Sequence, residues 1–186
     1  MRDFGLRILH HNVQNLSNKK NEITMMLSVD RMHINILCLT EQWLREDQLN
    51  VVNIDHFSLV SKYCRTSSSC IYVNNNIQSK EVAWFDNLGS DKVFEISVVE
   101  LLEFHTILAC IYRSPESDFY EFLNKLEALI VKVYSRGKCL ILCGDWNVNF
   151  LYQNGKLQDL QNLLLMNNLI NEIVANKDHQ SLKISD

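Results

Sequence analysis

The sequence predicts an α/β sandwich, with two sheets packed face to face and helices outside, and three observations carry that prediction. Strand-like runs at Phe57–Lys62, Cys70–Val73, Val93–Leu101 and Thr106–Tyr112 succeed one another with few helices between them, as antiparallel sheets require. Two segments, Phe119 to Val133 and Leu157 to Asn168, repeat apolar residues every three to four positions and predict amphipathic helices. The exit from the first strand, HHNVQNLSN, contains no glycine, so the phosphate loop of a doubly wound nucleotide-binding fold is missing.

Taken in order, Gly5 to Val13 (GLRILHHNV) predicts a strand, and Ser17 opens a helical segment with Ile23, Met26 and Leu27 on one face. Ile34 to Leu39 (INILCL) is a continuous β-branched and leucine run, the pattern of a strand buried on both faces, and it stops at Thr40-Glu41. The polar stretch from Arg45 to Asn53 predicts a loop, and Asn74-Asn75-Asn76 a turn. Ser117 is the expected cap of the helix carrying Phe119, Phe122, Leu126, Leu129, Ile130 and Val133, and Gly137 follows its end. Lys138 to Cys143 (KCLILC) predicts a buried strand broken by Gly144. The closing KDHQSLKISD is polar and predicts no strand, with Asp178-His179 in a solvated turn.

A chain of 186 residues with 47% hydrophobic content and one proline can bury one sizeable core, so residues 1–186 are expected to form a single domain. The formal net charge of −4 supplies no global basic field, and any contact with DNA must come from a local patch. The six cysteines at 38, 64, 70, 110, 139 and 143 include no CxxC pair, and four lie inside apolar runs. They predict free thiols in a reducing, intracellular compartment rather than a zinc site or a disulfide scaffold. No signal peptide opens the chain and no apolar run approaches the roughly 20 residues that cross a bilayer, so a soluble protein without membrane association is expected.

Four strand ends deliver polar side chains: Asn12 after LRILHH, Glu41 after INILCLT, Tyr112 after TILACI, and Asp145 with Asn147 after KCLILCG. Each alone reads as an ordinary solvated strand end. Together they are the residue types that phosphodiester hydrolysis needs, provided the strand ends converge on one rim. A carboxylate such as Glu41 suits Mg²⁺, which uses one or two protein carboxylates and keeps several waters. Asp145 can polarise an attacking water, Asn147 can hold that water or a phosphate oxygen, and the Tyr112 phenol can donate to charge building on phosphorus.

The segments ILHHNVQNL, ILCLTEQWL, CIYRSP and LCGDWNVNF, in that order, resemble the successive motifs of the endonuclease/exonuclease/phosphatase superfamily. They are most similar to the apurinic-endonuclease-like domain that precedes the reverse transcriptase in LINE-type (non-LTR) retrotransposons, as is SKYCRTSSSCIYVNNNI between the second and third. The similarity runs from about Leu6 to Asn149. It implies a deoxyribonuclease-I-like fold, a four-layered α/β sandwich of two mixed or antiparallel sheets flanked by helices. It further implies a monomeric, Mg²⁺-dependent DNA-nicking endonuclease, with Mn²⁺ as a substitute and a reverse transcriptase, fused or separate, as partner. Such an enzyme would be nuclear if it acts on chromosomal DNA. Glu41 would be the direct metal ligand with Asn12 at the same site, Tyr112 would stabilise the transition state, and Asp145 with Asn147 would activate and orient water. Glu95, in VFEISVVEL, matches an acidic strand position of the family and is expected to support the site through hydrogen bonds.

The family pattern continues to an aspartate in an IDxI-like strand and a terminal Ser-Asp-His, neither of which is recognisable here, so the resemblance implies a domain without its final strands. Loss of the histidine would remove one donor to the transition state, a loss on the order of 10²–10³ in rate. Ser68-Ser69 stand where relatives tend to carry glycine, which matters if the backbone there needs a positive φ. Trp146 replaces a more usual phenylalanine or leucine. His10 and His11 precede Asn12, and alternation turns one inward and one outward. Trp43 and Arg113 flank the proposed site; each reads either as a DNA contact or as packing and surface charge.

Three functions compete: a DNA endonuclease, a phosphatase or phosphodiesterase acting on small or lipid phosphate esters, and a non-catalytic domain that keeps the fold. The CIYRSP segment favours the first over the second, and the unrecognised histidine favours the third.

Overall fold

The computed structural model describes residues 5–29, 33–49, 52–65, 68–169, 172–176 and 179–183. Eight strands form two four-stranded sheets. The first contains β1 (Ile8–Asn12), β2 (Ile36–Thr40), β3 (Phe57–Tyr63) and β4 (Ser69–Asn74) in the order β1-β2-β4-β3. The second contains β5 (Ser79–Glu81), β6 (Glu95–Leu101), β7 (Thr106–Tyr112) and β8 (Cys139–Asp145) in sequence order. β1 pairs with β2 and β7 with β8 in parallel, and the remaining neighbours are antiparallel. The C-terminal ends of β1, β2, β7 and β8 therefore meet the N-terminal ends of β4 and β6 at one rim.

Alternation along β7 shows how the layers are sorted. All seven residues are buried because both faces are covered. Ile107, Ala109 and Ile111 point toward α3 (Phe119–Tyr134) and α4 (Gly155–Met166), where Phe122, Leu126, Leu129, Leu160 and Leu164 complete an apolar cluster. Leu108 and Cys110 point the other way, onto Ile36, Cys38, Ile71 and Val73 of the first sheet. The outer face of that sheet, including Leu37, Leu39 and Tyr72, is covered by Leu16 and Ile23 of α1 (Leu16–Val29). Four layers result, as the sequence predicted.

The differences from the sequence expectations have local causes. Asp118, not Ser117, caps α3, accepting from the backbone N–H groups of Tyr120 and Glu121 at 2.8 and 3.0 Å. Asn154 caps α4 through the Leu157 N–H at 2.9 Å, so that helix starts earlier than Leu157. A short helix, α2 (Glu46–Leu49), occupies part of the expected loop, and β5 and a 3-10 turn at Ala83–Leu88 went unpredicted because each is too short to show a period. The C-terminal tract is also corrected. β9 (Glu172–Asn176) and β10 (His179–Lys183) form an antiparallel hairpin, and β10 lies beside the edge strands β1 and β8. His179 thus opens a strand rather than occupying a solvated turn; Asp178, Ser185 and Asp186 lie outside the described residues.

Ser68 has φ +73° and is fully buried, so the position before β4 does require the left-handed conformation. A non-glycine residue there carries a penalty of about 1–2 kcal/mol, set against the entropy that glycine loses on folding. Ser68→Gly is expected to stabilise the fold by up to about 1 kcal/mol, read as a rise in the urea midpoint at unchanged m-value. A lower midpoint would show that the serine side chain contributes more than its backbone conformation costs.

Candidate active site

The space between the two sheets changes in chemistry along the strands. In the middle of the sandwich the paired residues are Ile8, Ile36 and Val73 on one sheet and Val99, Leu108 and Ile141 on the other. Two residues further along they are His10, Cys38 and Ile71 opposite Ser97, Cys110 and Cys143. Two more bring Asn12, Thr40 and Ser69 opposite Glu95, Tyr112 and Asp145. Because side chains alternate with a period of two, each strand contributes every second residue to this layer. Asn12, Tyr112 and Asp145 are thus terminal members of one inward-facing series, whereas Glu41 and Asn147 lie one and two residues beyond the ends of β2 and β8.

Asn12 is the hub. Its Nδ2 donates to Glu41 Oε1 at 2.9 Å and to Asp145 Oδ2 at 2.7 Å, one hydrogen for each carboxylate. Glu41 and Asp145, on different sheets and 104 positions apart in sequence, are therefore within about two hydrogen-bond lengths of each other. The loop carrying Glu41 is fastened to the start of α1: Val13, Asn15 and Leu16 N–H groups donate to the carbonyls of Thr40, Glu41 and Gln42 at 3.0, 2.9 and 3.0 Å. Gln42 is fully buried and closes the same turn by accepting from the Leu44 N–H at 2.8 Å. Glu41 (φ +54°) and Asn147 (φ +50°) both lie in the left-handed region just beyond their strands, a conformation that accumulates where side chains must be re-aimed.

Tyr112 is buried, in register between Glu95 and Asp145. Asn147 is exposed; its Nδ2 donates to the Arg113 carbonyl at 2.7 Å and its backbone N–H to Asp145 Oδ1 at 3.1 Å. The side-chain nitrogen of Asn147 is thus tied to the strand exit of β7. Glu95 is fully buried and accepts from the Lys92 N–H at 2.9 Å and from the Ser68 N–H. It pins two loop segments at the rim. Trp43 follows Glu41 and is 52% exposed. His10 is the inward-turned histidine, its Nε2 3.0 Å from Thr40 Oγ1, one step below the rim.

Arg113 is where the structure departs most from a surface reading. It is 2% exposed, and its guanidinium donates to the carbonyls of Trp146 (2.8 Å), Asn147 (3.0 Å), Ser114 (3.0 Å) and Ser117 (3.1 Å). The rings of Phe119 and Phe122 lie 5.6 and 5.8 Å from its Cζ. Burial lowers its pKa from the ordinary arginine value, against the pull of Asp145. A side chain so engaged does not reach a phosphate; it holds the Asp145–Asn147 turn against the start of α3. Sequence reasoning missed this because an arginine after a strand gives no local sign of carbonyls from a distant loop.

The glycine before Asp145 is set by close approach. Gly144 has φ +131°, and a Cβ there would stand 1.9 Å from the Ile111 carbonyl oxygen on the neighbouring strand. Trp146, on the other side, is buried against Phe122 at 5.8 Å between ring centroids, so its departure from the usual residue is one of packing.

Comparison with known proteins finds no matching family model and no similar curated sequence. Solved structures do match. The endonuclease domain of TRAS1, a telomere-specific non-LTR retrotransposon, superposes with a TM-score of 0.68 over 97% of this chain and 84% of that chain, at 14% identity. TDP2 of D. rerio, complexed with a single-strand DNA product, gives 0.64 over 91% and 69% at 14% identity. The 3'-5' exonuclease NExo of Neisseria meningitidis gives 0.61 over 86% and 70% at 16% identity. At these identities the likeness is one of fold. Among the described residues no helix is long and apolar enough to cross a membrane, and all six cysteines are free.

Two substitutions probe the frame of this site. Gly144→Ala is expected to destabilise by about 3 kcal/mol or more, because the added atom meets backbone rather than a movable side chain; near-normal thermal stability would contradict the close approach. Arg113→Lys is expected to destabilise by about 2–3 kcal/mol, since an ammonium cannot reach carbonyls spread over a planar fork. A variant of unchanged stability would return Arg113 to the surface.

Proposed function

We propose that this chain is a Mg²⁺-dependent phosphodiesterase that nicks DNA, of the kind used by non-LTR retrotransposons, with a reverse transcriptase as its partner in a full element. The observation that carries the reading is the Asn12 amide shared between Glu41 and Asp145. It supports the convergence on one rim that phosphodiester hydrolysis needs. The fold shared with the TRAS1 endonuclease domain supports DNA as the substrate class.

The residues fit a magnesium ion by their chemistry. Glu41 and Asp145 offer hard carboxylate oxygens, and Asn12 Oδ1 is buried with no hydrogen-bond partner among the described residues, an orphaned acceptor at the same spot. Glu41 would hold the ion with Asn12 beside it. When bound, magnesium neutralises phosphate charge and offsets the repulsion between the two carboxylates.

The remaining chemistry belongs to the chain. Asp145 Oδ accepts the proton of the attacking water as general base, and Asn147, with its nitrogen tied to the Arg113 carbonyl, offers Oδ1 to orient that water. The Tyr112 phenol donates to the oxygen on which negative charge accumulates at phosphorus. Glu95 keeps the loops around Ser68 and Lys92 in place. Trp43, half exposed next to Glu41, offers a ring face to a base or sugar at the mouth of the site.

Incubation of supercoiled plasmid with Mg²⁺ is expected to give the open-circular form, and EDTA to prevent it. Glu41→Ala and Asp145→Ala should each slow nicking by about 10²-fold or more while leaving the fold intact. Plasmid unchanged at high protein concentration in both Mg²⁺ and Mn²⁺ would overturn the proposal.

A further inference from the structure

The layer directly beneath the proposed active site contains a second potential ligand set of opposite character. Cys38 on β2, Cys110 on β7 and Cys143 on β8 come from both sheets, and their Sγ atoms all lie within 4.8 Å of one another. All three are buried. Cys110 and Cys143 are direct partners in the parallel β7–β8 register, and Cys38 meets them from across the sandwich. The side chains around them are Ile36, Ile71, Val99 and Leu108, which exclude water. Among the described residues no fourth histidine, cysteine or carboxylate joins the group, and His10, at the level of Cys38, is turned to Thr40.

We propose that Cys38, Cys110 and Cys143 form a trigonal, all-sulfur site for a soft d10 cation, with monovalent copper as the ion whose chemistry fits best. Three thiolates in an apolar, water-free pocket favour soft ions, and hard ions such as Mg²⁺ do not compete there. Zinc prefers a closed tetrahedron, which this pocket cannot complete with a water. The ligands need only a small inward movement, since atoms already this close span the diameter of one coordinated ion. Burial raises the pKa values of Cys38 and Cys110 and keeps those thiols protonated in the empty pocket. Cys143 is held below the ordinary thiol value by the S–H groups of Cys110 and Cys38. Binding therefore displaces thiol protons.

The position gives such an ion a consequence. It would clamp β2, β7 and β8, the strands that present Glu41, Tyr112 and Asp145, about 7 Å below their ends. The site is independent of the magnesium reading above, because its ligands, its ion and its readout are different.

The test uses the full chain with the two more accessible thiols removed, Cys64→Ser and Cys139→Ser together. Titration with Cu(I) against a colorimetric Cu(I) chelator is expected to show one equivalent bound, X-ray absorption to count three sulfur neighbours, and the thermal midpoint to rise on loading. Adding Cys38→Ala or Cys110→Ala should weaken Cu(I) binding by roughly 100-fold or more. If either variant fails to fold, the sulfur count on the double-serine protein still decides. No retained Cu(I) in that protein, fewer than three sulfur neighbours, or affinity unchanged by loss of Cys38 would each overturn the site.

Discussion

One primary amide holds the two halves of the sandwich in functional register. Asn12 ends a strand of one sheet and Asp145 ends a strand of the other, and the hydrogen bond between them ties the two sheets together at the rim. The same nitrogen donates to Glu41, so two carboxylates that would repel each other are drawn to a common point. An NH₂ group suits this role because it has two hydrogens and no charge. A lysine would cancel one of the two negative charges and weaken the demand for a cation, whereas a hydroxyl could serve only one carboxylate. The choice of asparagine keeps the site anionic and poised.

Why the rim and not the middle of the layer follows from the energetics of burial. Two sheets separated by side chains are stable because apolar surface is removed from water, at about 25 cal/mol per Å². Charge placed halfway along the strands would lose its hydration without recompense. The observed series respects that rule in steps of two residues, from Ile8, Ile36 and Leu108 through His10, Cys38, Cys110 and Cys143 to Asn12, Tyr112 and Asp145. Cysteine and histidine occupy the middle step because they tolerate both neighbours. Thiols pack as small hydrophobes, and an imidazole can be satisfied by one hydroxyl, here Thr40. The polar rim and the sulfur pocket are thus consecutive levels of one gradient.

That gradient was partly visible in the sequence. Strands such as Thr106–Tyr112 were legible because burial on both faces leaves an uninterrupted apolar run, and the polar residue ending each run stood out against it. What brings those residues together was not legible, since the hydrogen bonds of Asn12 join positions 29 and 133 residues apart. The capping of α3 was misplaced by one residue because Ser117 and Asp118 are both good caps, and only the structure shows Ser117 Oγ accepting from Arg113 instead. The β9–β10 hairpin escaped because β9 is only five residues long and the polar HQSLK of β10 carries no hydrophobic period, although β10 lies beside the edges of β1 and β8.

Arg113 shows how far the site extends into the scaffold. Its charge is buried with carbonyl dipoles and aromatic faces around it instead of a carboxylate salt bridge, which makes the planar fork indispensable. The carbonyls it gathers belong to the end of β8 and the approach to α3, so the amphipathic helix and the Asp145–Asn147 turn share one support. Asn147 returns the contact by donating to the Arg113 carbonyl, closing a ring of hydrogen bonds between two strand exits. Helix α3 is therefore more than a cover for the sheet. Through Phe119, Phe122 and this arginine, its packing reaches the Asp145–Asn147 turn, which links the outer layer to the polar rim.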